Sequence, residues 1–331
     1  MSTPFAAVAL LALVPMLMVG ACTNRGDPVS EADDGPIKFE RNSEFSGPRL
    51  RVFLNLPDGT PVSVNIEDDA VSTRPGRTVI PGHQARDWTF VKDAGIGTSV
   101  VYALVSWDPE DPADYLMAGW WAQFPDQHLP GLSFAGSQQF AIVDGPEMDP
   151  AIPPDLPLAG QATYVGQAGG LYSYALGSNW GDAAGSYIVE EWEGHIALTA
   201  DFAAKTIAGC VGCEGDLVTR RAHFGVFLGD EVRDAQAIAT GYEMHLGEAP
   251  IGPDGTISHP VVSIRHPERD VTASEGNWGG SVSSIPDGDG NPRLAAGFVR
   301  GAFQEGDGSA GLISGVFVAP SERLGRAARQ Q

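Results

Sequence analysis

The chain has 331 residues, room for one large or two ordinary domains, with 42 glycines, 25 prolines and only 20 lysines plus arginines. Short apolar runs separated by turn residues favour an all-β protein over a helical one. A formal net charge of −22 without any Lys/Arg cluster argues against nucleic acid as a partner, because a phosphate backbone would be repelled.

Ala6 to Ala21 is almost wholly apolar and ends in Val19-Gly20-Ala21-Cys22. The stretch is short for a membrane span and suits a secretory signal, residues 1–21. Small residues directly before a cysteine read as a bacterial lipobox, which makes Cys22 the lipidated mature N-terminus. The alternative is an ordinary signal peptide cleaved nearby. Several acyl chains anchor stably, since each buried CH₂ contributes about 0.8 kcal/mol.

Residues 22–46 are polar and acidic and read as a flexible tether. Leu50, Val52, Leu54 and Leu56 alternate, Asp58-Gly59 makes a turn, and Val62, Val64 and Ile66 alternate again, so 50–66 reads as a hairpin. Further strands are expected at Trp88–Val91, Ser99–Trp107, Tyr115–Phe124 and Gln138–Val143. Together, 47–143 makes a smaller β domain of six to eight strands. Residues 144–157 hold Pro146, Pro150, Pro153, Pro154 and Pro157, which reads as a semi-rigid linker and the clearest domain boundary.

From 158 to 320 the strands become regular. They are expected at Ala162–Gly166, Gly170–Ala175, Tyr187–Trp192, His195–Phe202, Thr206–Val211, Ala222–Leu228, Ala235–Leu246, Val261–Ile264, Trp278–Ser283, Ala295–Gln304 and Gly311–Val318, some of them merging. Eight strands would close a small barrel, its interior filled by side chains or holding one small ligand. A short helix near Arg233–Ala237 is possible, and 321–331 reads as a tail.

The clearest unit is Gly194–Gly215. Ile196, Leu198, Ala200 and Phe202 fall on every second position, Ala203-Ala204-Lys205 turns the chain, and Thr206, Ile207 and Val211 run back toward Cys210-Val211-Gly212-Cys213. Redox catalysis by this pair would need a helix N-terminus to lower the thiol pKa, and glycines and strand residues surround it instead. Zinc would need further ligands at recognisable spacing, and none is apparent. With Cys22 lipidated and the chain exported, a local Cys210–Cys213 disulfide is the expectation.

Other candidates are weaker. Asp287, Asp289 and Asn291 resemble the opening of a calcium loop, but Pro292 stands where glycine is needed and Phe298 where a bidentate Glu is needed, which favours a plain turn. The seven histidines are scattered; His195 and His245 lie in strands where they could meet across a sheet. No Gly-x-Ser-x-Gly, Walker A, His-Glu-x-x-His or Rossmann pattern occurs, and Glu190-Glu191 point to opposite faces of one strand. Most tryptophans are expected as core anchors; in the adjacent pair Trp120-Trp121 one ring must leave its own core, to pack on the barrel or to act as a binding anchor.

The run LTADFAAKTIAG at Leu198–Gly209 resembles a strand pair in the C-terminal eight-stranded barrel of the transferrin-binding protein B-like bacterial surface lipoproteins. GQATYVGQAGGLYSY at Gly160–Tyr174 and GFVRGAF with GSAGLISGVFVA within Gly297–Ala319 extend the resemblance over about 158–320. It implies an N-terminal handle-like β-sheet domain followed by a compact barrel, lipid-anchored to the outer membrane and surface-exposed. It further implies a non-catalytic function without a cofactor: binding a protein, haem or small solute, iron acquisition being one such role. No ligand-contacting loop matches. The alternatives are a structural or immune-evasive coat lipoprotein and a barrel enzyme acting on lipid or glycan.

Overall fold

The computed structural model describes residues 43–46, 49–55, 61–65, 70–75, 80, 82–93, 98–124, 138–149, 151–177, 187–220, 238–259 and 261–323. The N-terminal part holds two antiparallel sheets. β1 (Ser43–Ser46), β2 (Arg49–Asn55) and β3 (Pro61–Asn65) form the first. β4 (Ala70–Pro75), β5 (Gln84–Asp93), β6 (Thr98–Trp107), β7 (Tyr115–Phe124) and β8 (Gln138–Asp144) form a five-stranded meander. The hairpin expected at 50–66 is β2–β3. β1 lies inside the stretch expected to be tether, because its backbone pairs with β2 from Ser43↔Val52 to Ser46↔Arg49; edge pairing does not require apolar side chains.

The C-terminal part is one curled sheet. Its strands are β9 (Gln161–Ala175), β10 (Tyr187–Asp201), β11 (Thr206–Val211), β12 (Val218–Arg220), β13 (Ile238–Ala239), β14 (Glu243–Pro250), β15 (Thr256–His259), β16 (Val262–Arg265), β17 (Val271–Val282), β18 (Leu294–Glu305) and β19 (Ala310–Pro320). Eight of them follow one another as β17-β18-β19-β9-β10-β11-β14-β16. Among the described residues the seam between β16 and β17 carries the isolated parallel bridge Val261↔Gly276, Val261 standing just before β16. β15 pairs with β17, and β12 and β13 extend from β10. The protein is all-β, as expected; among the described residues the helical ones are the 3-10 turn Pro146–Met148 and the short stretch Glu322 and Arg323 that follows β19. The strand expected at 222–228 and the short helix expected at 233–237 lie outside the described residues.

The expected pairs 162–166 with 170–175, and 187–192 with 195–202, each run as one long strand. Glycines do not break these strands because they answer a packing need. Gly170 faces Gly315 across β9–β19, and an added Cβ on either would meet the carbonyl oxygen of the neighbouring strand. Trp192, paired with Gly170 on β10, fills the space they leave, its ring 2.9 Å from a Cβ placed on Gly315. Gly280 and Gly297 face each other in the same way across β17–β18, with Phe317 next in that row. Alternating large and absent side chains let a tightly curved sheet close over aromatic rings.

The described interior is lined by aromatic and aliphatic side chains. Tyr164, Trp192, Phe202, Tyr242, Trp278, Phe303 and Phe317 are buried there together with Ile196, Leu198, Val211, Met244, Val299 and Ile313. Trp192 and Trp278 donate their indole N–H to the carbonyls of Ser314 and Gly247, both at 3.0 Å, so both indoles are satisfied, whereas the buried Tyr164 hydroxyl has no hydrogen-bond partner among the described residues. The expectation that tryptophans anchor the core holds for Trp107, Trp192 and Trp278.

A second core lies outside the barrel. Leu294, Ala296, Leu312, Val316, Val318 and Leu171 point away from the interior and pack on Ile80, Leu116, Ala118, Val143 and Met148 of the meander side. The 144–157 segment therefore begins as interface and not as a spacer. Asp144 ends β8, and Glu147 in the 3-10 turn is buried. Arg293 donates to both Glu147 oxygens at 2.7 and 2.9 Å, the Ser283 hydroxyl adds a third bond at 2.5 Å, and Ser284 N–H donates to the Glu147 carbonyl at 2.9 Å. Prolines flank this turn, but a buried charge held by three donors cannot swing freely.

Candidate functional site

Three places on the barrel gather chemistry-bearing residues. The first closes one end. β9 and β18 finish there and Tyr242 precedes β14, so chain segments far apart in sequence converge. Tyr174 and Tyr242 donate their hydroxyls to Glu305 Oε2 and Oε1 at 2.6 and 2.5 Å. Arg269, in the turn between β16 and β17, donates to the same two hydroxyl oxygens at 3.0 and 3.1 Å and stands 3.5 Å from Glu305 Oε1. Its guanidinium also lies over both rings, 5.5 and 5.7 Å from their centres. The result is a closed circuit of one cation, two phenols and one carboxylate.

Electrostatics follow from that closure. Burial first, then the bond to Glu305, push the Tyr242 and Tyr174 hydroxyls above the usual phenol range. Burial, then Tyr174, does the same for Tyr172. Burial works against the charge on Arg269, but Tyr242, Tyr174 and Glu305 outweigh it and leave the guanidinium above its ordinary value. His266 packs edge-on against Tyr242, with ring centres 4.9 Å apart. Its Nδ1 accepts from the backbone N–H of Glu268 and Arg269, which leaves Nε2 to donate to the Thr240 carbonyl at 3.0 Å. The phenols are held uncharged near neutrality, and both carboxylate oxygens of Glu305 are engaged in hydrogen bonds. This end works as a plug, and only Arg269, 46% exposed, reaches the surface.

The second place is the Gly194–Gly215 hairpin. Pairing runs from Ile196↔Val211 to Asp201↔Thr206 as the alternation requires. Ala204 N–H donates to Asp201 Oδ1 at 3.0 Å, which holds that carboxyl below its ordinary value, and Lys205 closes the turn at φ 55. Cys210 and Cys213 are disulfide-bonded with Cα atoms 5.9 Å apart. His195 and His245 do not meet, because β11 runs between them: His195 lies opposite Gln167 and His245 opposite Cys210. His245 instead reaches the disulfide, its Nε2 4.0 Å from Cys213 Sγ.

The third place is the turn between β17 and β18. Asp287 Oδ1 accepts from the N–H groups of Asp289 and Asn291 at 2.8 and 3.1 Å, and Asp289 pairs with Arg323. The carboxylate of Asp287 thus shapes the loop from within. Trp120 and Trp121 sit in β7 opposite Tyr102 and Val101 of β6; their side chains lie outside the described residues, as does Cys22. Glu190 and Glu191 are adjacent on β10, opposite Tyr172 and Leu171. Sequence reasoning missed Glu305, Arg269 and Tyr242 as a group. Its one usable signal was a carboxylate closing an apolar strand, Phe303-Gln304-Glu305.

No family model matches the chain, and no curated protein matches it in sequence. One similar solved structure is described as that of intact Ap-TbpB with its N and C lobes, at 9% identity and a TM-score of 0.31. The match covers 82% of this chain and 41% of that one, so the chain spans about two fifths of that protein's length. So weak a likeness is at fold level only and assigns neither family nor ligand.

Proposed function

We propose that the protein is a lipid-anchored bacterial outer-membrane lipoprotein, exposed at the cell surface, that binds a macromolecular partner by its outer surface without catalysing a reaction. The observation that carries this choice among ligands is the filled barrel. Aromatic rings occupy the interior of the described barrel, and the Glu305 circuit plugs one end, which disfavours haem or a small solute held inside. The engaged oxygens of Glu305 likewise disfavour a barrel enzyme. The anchor rests on the lipobox ending in Cys22, and surface binding on the resemblance at Leu198–Gly209.

Protease shaving of intact cells tests exposure and anchoring together, comparing the native protein with Cys22→Ala. Loss of the native protein, with the Cys22→Ala form protected inside or released to the medium, is the expected result. A native protein that survives shaving in the membrane fraction would overturn surface binding. Titration with haem tests the filled barrel: no saturable quenching of Trp192 and Trp278 fluorescence is expected, and one-to-one saturation would overturn the outer-surface reading.

A further inference from the structure

The three donors Cys210 Sγ, Cys213 Sγ and His245 Nε2 lie within 4.8 Å of one another on the outer face of the barrel. Cys210 and His245 are direct cross-strand partners of β11 and β14, so the closeness is built into the sheet. Gly212, at φ 85, lets the chain fold back between the two cysteines, and its N–H is held by the His195 carbonyl at 2.9 Å. Glu243, two residues before His245 and on the same strand face, places Oε2 3.0 Å from His245 Nε2. Cys213 is exposed, and Cys210 and His245 are partly so, leaving the group open to solutes.

Two thiolates, an imidazole and a carboxylate are a zinc donor set. With metal–sulfur and metal–nitrogen bonds of about 2.3 and 2.0 Å, tetrahedral neighbours sit roughly 3.3–3.8 Å apart. The observed 4.0 Å from Cys213 Sγ to His245 Nε2 is near that spacing. Glu243 Oε2 lies 3.0 Å from His245 Nε2 but outside the 4.8 Å group of the other three, so its side chain must rotate toward the sulfurs to join them. A strand ending in a tight Cys-x-x-Cys turn with a histidine on the next strand also differs from a thioredoxin-type pair, which needs a helix after its first cysteine. While the disulfide is closed, the two sulfurs are bonded to each other and cannot serve as thiolate ligands.

We propose that Cys210, Cys213, His245 and Glu243 form a redox-gated zinc site, closed as the disulfide and competent for Zn²⁺ once reduced. The gating step is thiol–disulfide exchange with a dithiol. The S–S bond accepts two electrons and two protons to give two thiols, while the dithiol becomes its own disulfide. Zinc then displaces both thiol protons and takes the lone pair of His245 Nε2, with Glu243 completing the shell. The site lies on the outer face of the barrel, and its metal uptake is read on the purified chain alone, so the test does not depend on partner binding.

The test uses the full chain carrying Cys22→Ala, so that the other two of the three cysteines are the only thiols. A phosphine reduces the disulfide, with water supplying the oxygen of the phosphine oxide, and does not compete for metal as a dithiol would. Reduced protein is titrated with Zn²⁺, and with Co²⁺ to read thiolate charge-transfer absorption. One equivalent bound below micromolar concentration, with two protons released, is expected, whereas oxidised protein binds at least a hundredfold more weakly. Cys213→Ser should lower the thiolate charge-transfer absorption by half or more, and His245→Ala should weaken binding tenfold or more. Equal uptake by oxidised and reduced protein, equal uptake by wild type and His245→Ala, or no uptake by reduced protein would each overturn the proposal. Circular dichroism of every form confirms that the barrel is present.

Discussion

Two parts of the same barrel are built on opposite rules. On β10 and β11 burial alternates: Ile196, Leu198 and Ala200 are buried while His195 and Thr199 face water. On β18 and β19 it does not; from Leu312 to Pro320 every residue is buried. The difference is what lies outside. The handle meander covers β18 and β19, whereas the outer face of β10 and β11 carries Thr199, Asp201 and the disulfide turn. An antiparallel strand reads as alternating when one face is wet and as a continuous apolar run when both are covered. The run GLISGVFVAP thus records the docked handle as much as the barrel.

The contrast is broken most severely at the glycine rows. Gly297→Val should prevent barrel formation, because its Cβ would meet the Gly279 carbonyl and the Gly280 Cα; loss of the β-sheet circular dichroism signal is the readout. Gly290→Ala, where nothing lies within 4 Å but φ is 83, should cost only about 1 kcal/mol.

Next in size is the clamp between the parts. Glu147→Ala strands Arg293, whose side chain is 16% exposed, and should cost about 3–5 kcal/mol by denaturant unfolding. The double change Glu147→Leu with Arg293→Met should recover most of it. Failure to recover would show that the ionic geometry itself, and not merely its filling, seats the handle.

The faces themselves are compared by Val316→Asn and Thr199→Asn. The first buries an unpartnered amide in the second core and should cost about 2–3 kcal/mol. The second faces water and should stay within about 0.5 kcal/mol. Similar values would mean that the handle does not cover β19 in solution.

A pH titration separates interior from exterior. Tyr164, Tyr172, Tyr174 and Tyr242 have raised phenol pKa values, burial being the largest cause in each. Folding therefore favours their neutral form. That stabilisation is complete below the ordinary phenol pKa of about 10 and is lost as pH rises past it toward the folded-state values. Of seven tyrosines, at least these four should show no phenolate absorbance until the protein unfolds; a reversible titration of more than three in the folded state would contradict the packed interior. The smallest effect is expected from reducing Cys210–Cys213, about 2 kcal/mol for so short a loop, with the sheet retained.

The sequence by itself determined whatever depends on neighbours along one chain. The hairpin at Leu198–Gly209, the all-β class and the local disulfide follow from period-two patterning, turn residues and two cysteines three positions apart. Only the tertiary structure decided what depends on curvature and on segments distant in sequence. Trp192 filling the place of Gly170 and Gly315, Glu305 taken by Tyr174 and Tyr242, and His245 set beside Cys213 arise from the pairing and curling of the sheet, and Glu147 held by Arg293 from the docking of the meander side on it. Curling of the sheet brings together positions that no periodicity couples, because the register between strands, rather than the order of residues within them, fixes which side chains meet.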